Sequence, residues 1–216
     1  MAISVFIIAV VSYGLSLVDV CGLVCRLCFR EEPAGQVDYA ALYRRYRWKG
    51  VGYALAGDLL RALVSVLIGG TLMKSAGFPS VGKLLALMFA LLGQALPLLP
   101  ARNRMVPRQE MIFPGLMLLL VDWRVFLIAA VVSVVLLALT GNRALMALGA
   151  AVMIPVGVII FGGWWLKIIM ALVCCAAILY CYWNEISDTF AGRGKKKPRA
   201  PKTSAADESE GKGGEE

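Results

Sequence analysis

Apolar residues run through this chain in long blocks that are separated by short charged breaks. A membrane-spanning helix needs about 20 mainly apolar residues, with a range of about 17–25. The pattern therefore predicts an all-α, polytopic membrane bundle of about seven transmembrane helices. The seven blocks are residues 1–24, 51–73, 81–99, 111–121, 125–140, 144–161 and 164–183.

Two of these blocks need a separate argument. The first could pass for a secretory signal, but it lacks a basic start and carries Asp19 near its end, so we expect a retained span. The apolar region 111–140 is interrupted by Asp122-Trp123-Arg124, a charged pair around an aromatic residue that suits a membrane interface. We therefore predict a short helix over 111–121, tilted, partial or packed inside the bundle, before a longer span.

The charged breaks predict the orientation of the bundle. With seven spans, one membrane face receives most of the loop cations, and the other receives only Lys74, Lys83, Arg124 and Lys167. Because loops rich in lysine and arginine stay in the cytoplasm, we expect the N-terminus outside and the C-terminus inside. The cations of the basic face are Arg26, Arg30, Arg44, Arg45, Arg47, Lys49, Arg102, Arg104, Arg108 and Arg143, together with those of the tail.

Composition agrees with lipid as the main solvent of the chain. Of 216 residues, 60% are hydrophobic and only 17% are charged, whereas a soluble domain is about 25% charged. We expect one transmembrane domain over residues 1–190 and a disordered, charged cytoplasmic tail over 191–216. Lys195–Lys197 are expected near anionic headgroups, so the net charge of +8 does not indicate a nucleic-acid partner.

The residue types present limit the chemistry. The chain has no histidine, which removes Ser-His and Cys-His catalysis and the commonest metal ligand. Cys21, Cys25 and Cys28 have a spacing found in iron–sulfur ligation, but they also share one helical face, and we favour packing. No cofactor or metal is expected.

Two sets of charged residues are candidate functional groups. Asp58 and Arg61 lie three residues apart inside the second span, where they form either a functional pair or a tether between helices. The cationic loops 31–49 and 100–110 could bind a phosphorylated small molecule through charge-assisted hydrogen bonds. The alternative is that these loops only orient the bundle.

At this point the chain resembles a known family. The segment 35–63, GQVDYAALYRRYRWKGVGYALAGDLLRAL, places Gly35, Arg44, Lys49 and Asp58 at the spacings of the first motif of a small bacterial family of seven-span acyltransferases. Three later blocks are similar to the family's GHxFP motif, to the arginine that opens its third motif, and to its closing N-I-x-R-L-x-x-G segment. They are Gly93–Pro97, Arg143, and residues 184–197.

The resemblance implies an activity and a site. Members of this family move an acyl group from acyl-phosphate to glycerol 3-phosphate in phospholipid biosynthesis, in the bacterial plasma membrane. It implies those two substrates and membrane lipids as partners, and it allows for a partner enzyme of lipid synthesis. The implied phosphate-binding or site-organising residues are Arg44, Lys49, Asp58, Arg102, Arg104, Arg108 and Arg143, with Gln94 and Gln36 at the catalytic positions.

The sequence also departs from the family pattern. Gln94 replaces the histidine of the second motif, and Gln36 replaces the first asparagine of the first motif. Proline at position 107 removes a backbone N–H where the family has a glycine loop that holds phosphate. The departures are Ala34, Gln36, Asp38 to Ala41, Gln94, Val106 to Gln109, and Met146.

The resemblance favours an acyltransferase, while the departures predict weak or absent activity. Two alternatives therefore stay open. One is a catalytically inactive paralogue that binds lipid or phosphate ligands, which the joint motif losses favour. The other is a small transporter built on the Asp58–Arg61 pair, although the chain shows no evident internal repeat.

Overall fold

The computed structural model describes residues 2–30, 37–96, 112–161 and 164–191, and throughout these ranges the regular structure is helical. This confirms the predicted all-α class. The described residues form α1 (Ala2–Leu17), α2 (Val20–Cys28), α3 (Tyr39–Lys74), α4 (Pro79–Ala95), α5 (Ile112–Val121), α6 (Trp123–Thr140), α7 (Arg143–Ile160), α8 (Trp165–Cys181) and α9 (Trp183–Phe190). The predicted tail after residue 191 lies outside the described residues.

The helices differ in how well each could cross a membrane alone. By length and composition, α3 and α6 are long and apolar enough. Two further spans are formed if the bent pairs α1–α2 and α8–α9 each count as one, and α4, α5 and α7 are shorter apolar helices. The count of seven spans and the side of each terminus stay predictions.

The first predicted span, 1–24, is wrong as a single helix. The chain breaks after Leu17, and α2 starts at Val20 with a bend of 59°. Asp19 sits in the break as the N-cap of α2, where its carboxylate accepts a hydrogen bond from the Gly22 N–H at 3.1 Å. The predicted continuous span is therefore two helices, and Asp19 caps the second of them.

The second predicted span begins earlier than expected. Asp38 caps α3, so eight residues of the polar insertion, Tyr39 to Tyr46, are helical before a kink at Arg47. Leu42 of this segment is buried with Val20, Val24 and Ala54 in a small apolar core beside α2. The segment folds because Leu42 packs there and Tyr39 and Tyr46 pack against the same core, although its other side is charged.

The split at Asp122 is confirmed, because Asp122 caps α6 by accepting the Arg124 N–H at 3.0 Å. The α5 helix before it has ten residues. At a rise of about 1.5 Å per residue it covers about half of a hydrocarbon core of about 30 Å. At the other end of the chain, the seventh predicted span stops at Cys181, and α9 turns away from α8 by 67°.

The α4 helix is the centre of the bundle, since it packs against α1, α3, α5 and α8. It approaches α3 most closely where two glycines meet. A Cβ atom added to Gly82 would lie 2.0 Å from the Gly69 carbonyl oxygen. Only residues without a side chain allow this backbone contact, which is the usual basis of close helix packing in membranes.

Exposed tryptophan side chains lie at both ends of the bundle. We call the end where α3 and α7 begin and α6 and α8 finish the basic end. All five tryptophans are 51–74% exposed, with Trp48 and Trp183 at the basic end and Trp123, Trp164 and Trp165 at the opposite end. Tryptophan at both ends is typical of a bundle whose ends lie at membrane interfaces.

The glycine contact leads to a stability prediction. Replacing Gly82 by valine should separate α3 from α4 and cost about 1–3 kcal/mol, because the added side chain overlaps the Gly69 carbonyl. Thermal unfolding of the purified protein in detergent measures the loss. Gly52→Val is the matched control, since a Cβ atom at Gly52 meets nothing within 4 Å. Equal losses of stability in both variants would contradict the close contact between Gly82 and Gly69.

Candidate functional site at the basic end

Asp58 and Arg61 form a buried ion pair inside the bundle. Their Oδ1 and Nη2 atoms lie 2.8 Å apart, and the residues are 1% and 5% exposed. One turn of α3 brings them to the same face, as the spacing predicts. A buried pair of this kind is stable only when its remaining donors and acceptors find partners.

The guanidinium of Arg61 finds those partners at the break in the first helix. Its Nη1 donates to the Val18 carbonyl at 2.7 Å and lies 3.4 Å from the Leu15 carbonyl. Its planar face lies over the Phe113 ring, 3.9 Å from the ring centre. Arg61 therefore satisfies backbone acceptors that the bend exposes, and it joins α1, α3 and α5.

Asp58 is also bonded from a second direction. The Tyr39 hydroxyl, from the first residue of α3, donates a hydrogen bond to Asp58 Oδ2. The pair thus holds the start of α3 against its own middle. These contacts support the interpretation of Asp58 and Arg61 as a tether between helices. They give no support to the alternative of a transporter built on this pair.

The cations of the first motif lie at the surface of the basic end. Arg44 and Lys49 are exposed on either side of the kink at Arg47. Arg47 itself has φ +55° and ψ −147°, a strained conformation for a residue with a side chain. The kink lets the charged segment turn relative to the apolar part of α3, so both cations remain outside the core.

The third motif and the closing segment meet at the same end. Arg143 is the first residue of α7, and Asn142 before it caps that helix by accepting the Ala144 N–H at 3.0 Å. The Asn142 side chain also donates to the Thr189 hydroxyl of α9 at 2.8 Å. The fold therefore brings these two sequence blocks together, although their separation along the chain is large.

Gln94, at the position of the family's histidine, lies in the last turn of α4. It is 3% exposed, and its Nε2 atom has no hydrogen-bond partner among the described residues. Gly69 of α3 and Gly82 of α4 are in contact. Asp58 lies eleven residues before Gly69 in α3, and Gly93 lies eleven residues after Gly82 in α4. Gln94 thus lies at about the depth of the ion pair. An amide there can donate a hydrogen bond but cannot accept a proton.

Several predicted site residues cannot be located. Gln36, Arg102, Arg104 and Arg108 lie outside the described residues, as do the departures at Ala34 and 106–109. Three of these arginines lie between α4 and α5 in the sequence, after Leu96. Tyr13 of α1 donates to the Leu96 carbonyl at 2.6 Å, which holds the residue after α4 against α1.

An apolar cavity of about 150 Å³ lies between α4, α5, α6, α7 and α8. It extends beside the short α5 helix, where small side chains such as Ala129, Ala130 and Ala150 leave space. Its wall includes Met146, one turn into α7 from the basic end. The only features of the sequence that relate to this cavity are the short fourth apolar block and the alanines, and they did not predict it.

The described residues contain no group of three histidine, cysteine, aspartate or glutamate side chains that could hold a metal ion. Cys21 and Cys25 are instead buried in the small core that receives Leu42. Cys28 is exposed. This arrangement supports packing as the role of the first two.

Comparisons with known proteins agree with this architecture. The model of the glycerol-3-phosphate acyltransferase family matches residues 6–192. The crystal structure of PlsY (YgiH), described as an integral membrane glycerol 3-phosphate acyltransferase in its glycerol 3-phosphate form, superposes with a TM-score of 0.63. The identity is 18%, over 90% of this chain and 96% of that one, so the likeness shows a shared fold. No curated protein sequence matches the chain.

The ion pair yields a second prediction. Asp58→Leu alone leaves the Arg61 charge buried without its carboxylate, and we expect a loss of about 3–5 kcal/mol. The double variant Asp58→Leu/Arg61→Leu should lose less stability than the sum of the two single losses, because it leaves no unpaired buried charge. Unfolding in detergent checks both. A double variant whose loss equals the sum of the two single losses would show that the charges do not interact.

Proposed function

The chain belongs to the glycerol-3-phosphate acyltransferase family, and from this premise we propose that it transfers an acyl group from acyl-phosphate to glycerol 3-phosphate. The reaction takes place at the basic end of the bundle. As a multi-pass member of this family, the protein resides in the bacterial plasma membrane and acts in phospholipid synthesis. The observation that supports the proposal is that the motif residues of α3, α4, α7 and α9 lie in the half of the bundle that includes the basic end, where Asn142 and Thr189 are in contact.

The bond changes follow from the two substrates. A hydroxyl oxygen of glycerol 3-phosphate attacks the acyl carbonyl carbon, and the bond from that carbon to the phosphate oxygen breaks. Inorganic phosphate leaves with the electron pair of that bond. The chain has no histidine to act as a base, and in this proposal the hydroxyl proton passes to an oxygen of the departing phosphate.

Both substrates carry phosphate, so the site needs several cations. Arg44 and Lys49 supply charge from α3, and Arg143 supplies it from the start of α7. The sequence between α4 and α5 contains Arg102, Arg104 and Arg108, and in this proposal they add charge to the same site. Arginine pairs with phosphate through two parallel hydrogen bonds, which positions the group as well as neutralising it.

Asp58 and Gln94 take different roles in this proposal. Asp58 is a positioning residue, since its carboxylate is bonded to Arg61 and Tyr39 and its charge would repel phosphate. The Gln94 amide, whose Nε2 has no partner among the described residues, donates a hydrogen bond to the acyl carbonyl oxygen as negative charge develops there. Gln36 stands at the position of the first asparagine in the family's first motif.

A second candidate is a paralogue that binds phosphate or lipid ligands without turnover. One observation favours it. The Asp38 carboxylate accepts the Ala41 N–H at 2.7 Å, so the chain's own anion uses a donor at the helix N-terminus where the family sequence has small residues. Copurification of an intact acyltransferase with this chain would support that candidate.

Genetic complementation tests the proposed activity. The chain should restore growth to a bacterial strain that lacks its own acyl-phosphate-dependent acyltransferase. Arg44→Gln should lower the activity about tenfold or more, because a charge-assisted hydrogen bond contributes about 1.5–3 kcal/mol. Lys74→Gln is the matched control, since Lys74 lies at the opposite end of the same helix. If the wild-type chain reaches normal levels in the membrane and the strain still does not grow, the proposal is contradicted.

The cavity predicts chain-length selectivity. We expect part of the acyl chain to occupy it, so Ala150→Phe should shift the preference toward shorter acyl-phosphates. Competition between a long and a short acyl-phosphate in one reaction measures the ratio of their kcat/KM values. Ala176→Phe is the control on the exposed side of α8. An unchanged ratio in the Ala150 variant would exclude the cavity as the acyl site.

A further inference from the structure

The apolar cavity beside α5 has one polar side chain in its wall among the described residues, that of Ser133 in α6. Most of the other lining residues are leucine, alanine, isoleucine and phenylalanine. The Ser133 Oγ atom is buried and has no hydrogen-bond partner in the described part of the chain. A hydroxyl group in these apolar surroundings therefore lacks both the water and the protein partner that a buried polar group normally has.

Other hydroxyl groups in the helices show which bond is missing at Ser133. Thr140 Oγ1, in the same helix, donates to the Leu136 carbonyl at 2.6 Å, and Thr71 Oγ1 of α3 donates to the Leu67 carbonyl at 2.8 Å. Serine and threonine inside helices commonly bond in this way to the carbonyl four residues earlier. Since the Ser133 Oγ makes no such bond within the described residues, its hydroxyl can bond a group that enters the cavity.

A single water molecule is a poor occupant of this space. A buried water typically makes about three hydrogen bonds, and the side chains of this wall offer one hydroxyl. Apolar cavities of about this volume stay dry and accept apolar molecules instead. An oxygen atom carried by an apolar chain suits the cavity better, because the chain fills the apolar space while the oxygen bonds the hydroxyl.

The depth of Ser133 corresponds to a position along an acyl chain. Its neighbour Val132 packs against α7, where a Cβ atom added to Gly149 would lie 3.5 Å from Val132 Cγ1. Gly149 is six residues after Arg143, which at about 1.5 Å per residue puts this level about 9 Å from the basic end. Met146 lines the cavity nearer that end. An acyl chain with its carbonyl at the basic end and its tail in the cavity would pass Ser133.

We propose that the cavity takes acyl chains that carry an oxygen atom along the chain, as a hydroxyl or a keto group, and that Ser133 selects them. The Ser133 hydroxyl donates a hydrogen bond to that oxygen, and the apolar wall packs against the methylene groups on either side. A polar group built into a pocket in this way favours the substrate that bonds it over the analogue that does not. The inference rests on the proposed function, because it takes the cavity as the site of the acyl chain, and it adds the chemical class of the acyl donor.

Competition between free fatty acids tests the site without requiring turnover. The full chain in lipid nanodiscs is cross-linked on illumination by a long-chain acid with a diazirine group, and mass spectrometry measures the yield on the peptide that contains Met146. The competitors are the unsubstituted acid and acids of equal length with one hydroxyl group at successive carbons. We expect a narrow range of carbons at which the hydroxyl strengthens competition about three- to tenfold, as one buried hydrogen bond would.

Two serine variants provide the matched comparison. Ser133→Ala should remove the preference for the hydroxylated acids and leave competition by the unsubstituted acid unchanged. Because the hydroxyl that it removes has no partner, this variant should unfold at the temperature of the wild-type chain or above it. Ser65→Ala is the control, since the Ser65 Oγ is also buried without a partner among the described residues, but Ser65 is not part of the cavity wall. It should keep the full preference.

The outcomes separate this inference from the proposed activity. A preference that is equal in the wild-type and Ser133→Ala chains, or that is the same at every hydroxyl position, would overturn the role of Ser133. Equal competition by all acids in the wild-type chain would also overturn it, even if the chain turns over unsubstituted acyl-phosphate. If the preference depends on Ser133 but neither a hydroxylated nor an unsubstituted acyl-phosphate is turned over, the selective site is supported and the proposed activity fails.

Discussion

The guanidinium of Arg61 bonded to the carbonyl of Val18 is the interaction on which the rest of the bundle depends. Hydrocarbon offers no water to backbone groups that a broken helix leaves without partners. The bend between α1 and α2 is therefore tolerated only because a side chain from α3 reaches the exposed carbonyls. Asp58 neutralises that side chain, and Phe113 of α5 lies against its face.

Tyr39 connects the Asp58–Arg61 pair to the surface of the bundle. The tyrosine bonds Asp58 at the start of α3, and a few residues later the same segment presents Arg44. The position of a surface cation thus depends on a charge pair buried in the bundle. Charged groups at such depth are costly, and here they fix one arrangement of three helices rather than add to stability.

Much of the fold could be predicted from the sequence, because hydropathy reports which residues face lipid or core. The split at Asp122 was predicted from a charged pair, and the cap it forms explains why the pair ends a helix. The break at Asp19 was missed, since its stabilising partner Arg61 lies on another helix. The early start of α3 was missed because Leu42, Tyr39 and Tyr46 pack against a core shared with α2, and this packing outweighs a charged surface.

The candidate site was predictable only in part, for a related reason. Spacing alone puts Asp58 beside Arg61, but it gives no sign of Val18, Tyr39 or Phe113 as partners. The contact between Asn142 and Thr189 joins blocks that are distant in sequence, so no local pattern predicts it. The cavity depends on the shortness of α5 and on side chains from five helices, so no local pattern predicts it.

The same cations serve two physical purposes in this account. Gathered at one end, they orient the bundle in its membrane and also supply the charge that two phosphorylated substrates require. The chain has no histidine to assist the transfer, so binding and placement must provide most of the catalysis. The most direct measurement is turnover by the purified full chain in nanodiscs, supplied with acyl-phosphate and glycerol 3-phosphate. We expect acylated glycerol phosphate and inorganic phosphate in equal amounts, formed only when both substrates are present. Phosphate release without acylated product, or no product while an intact family member is active in the same preparation, would contradict it.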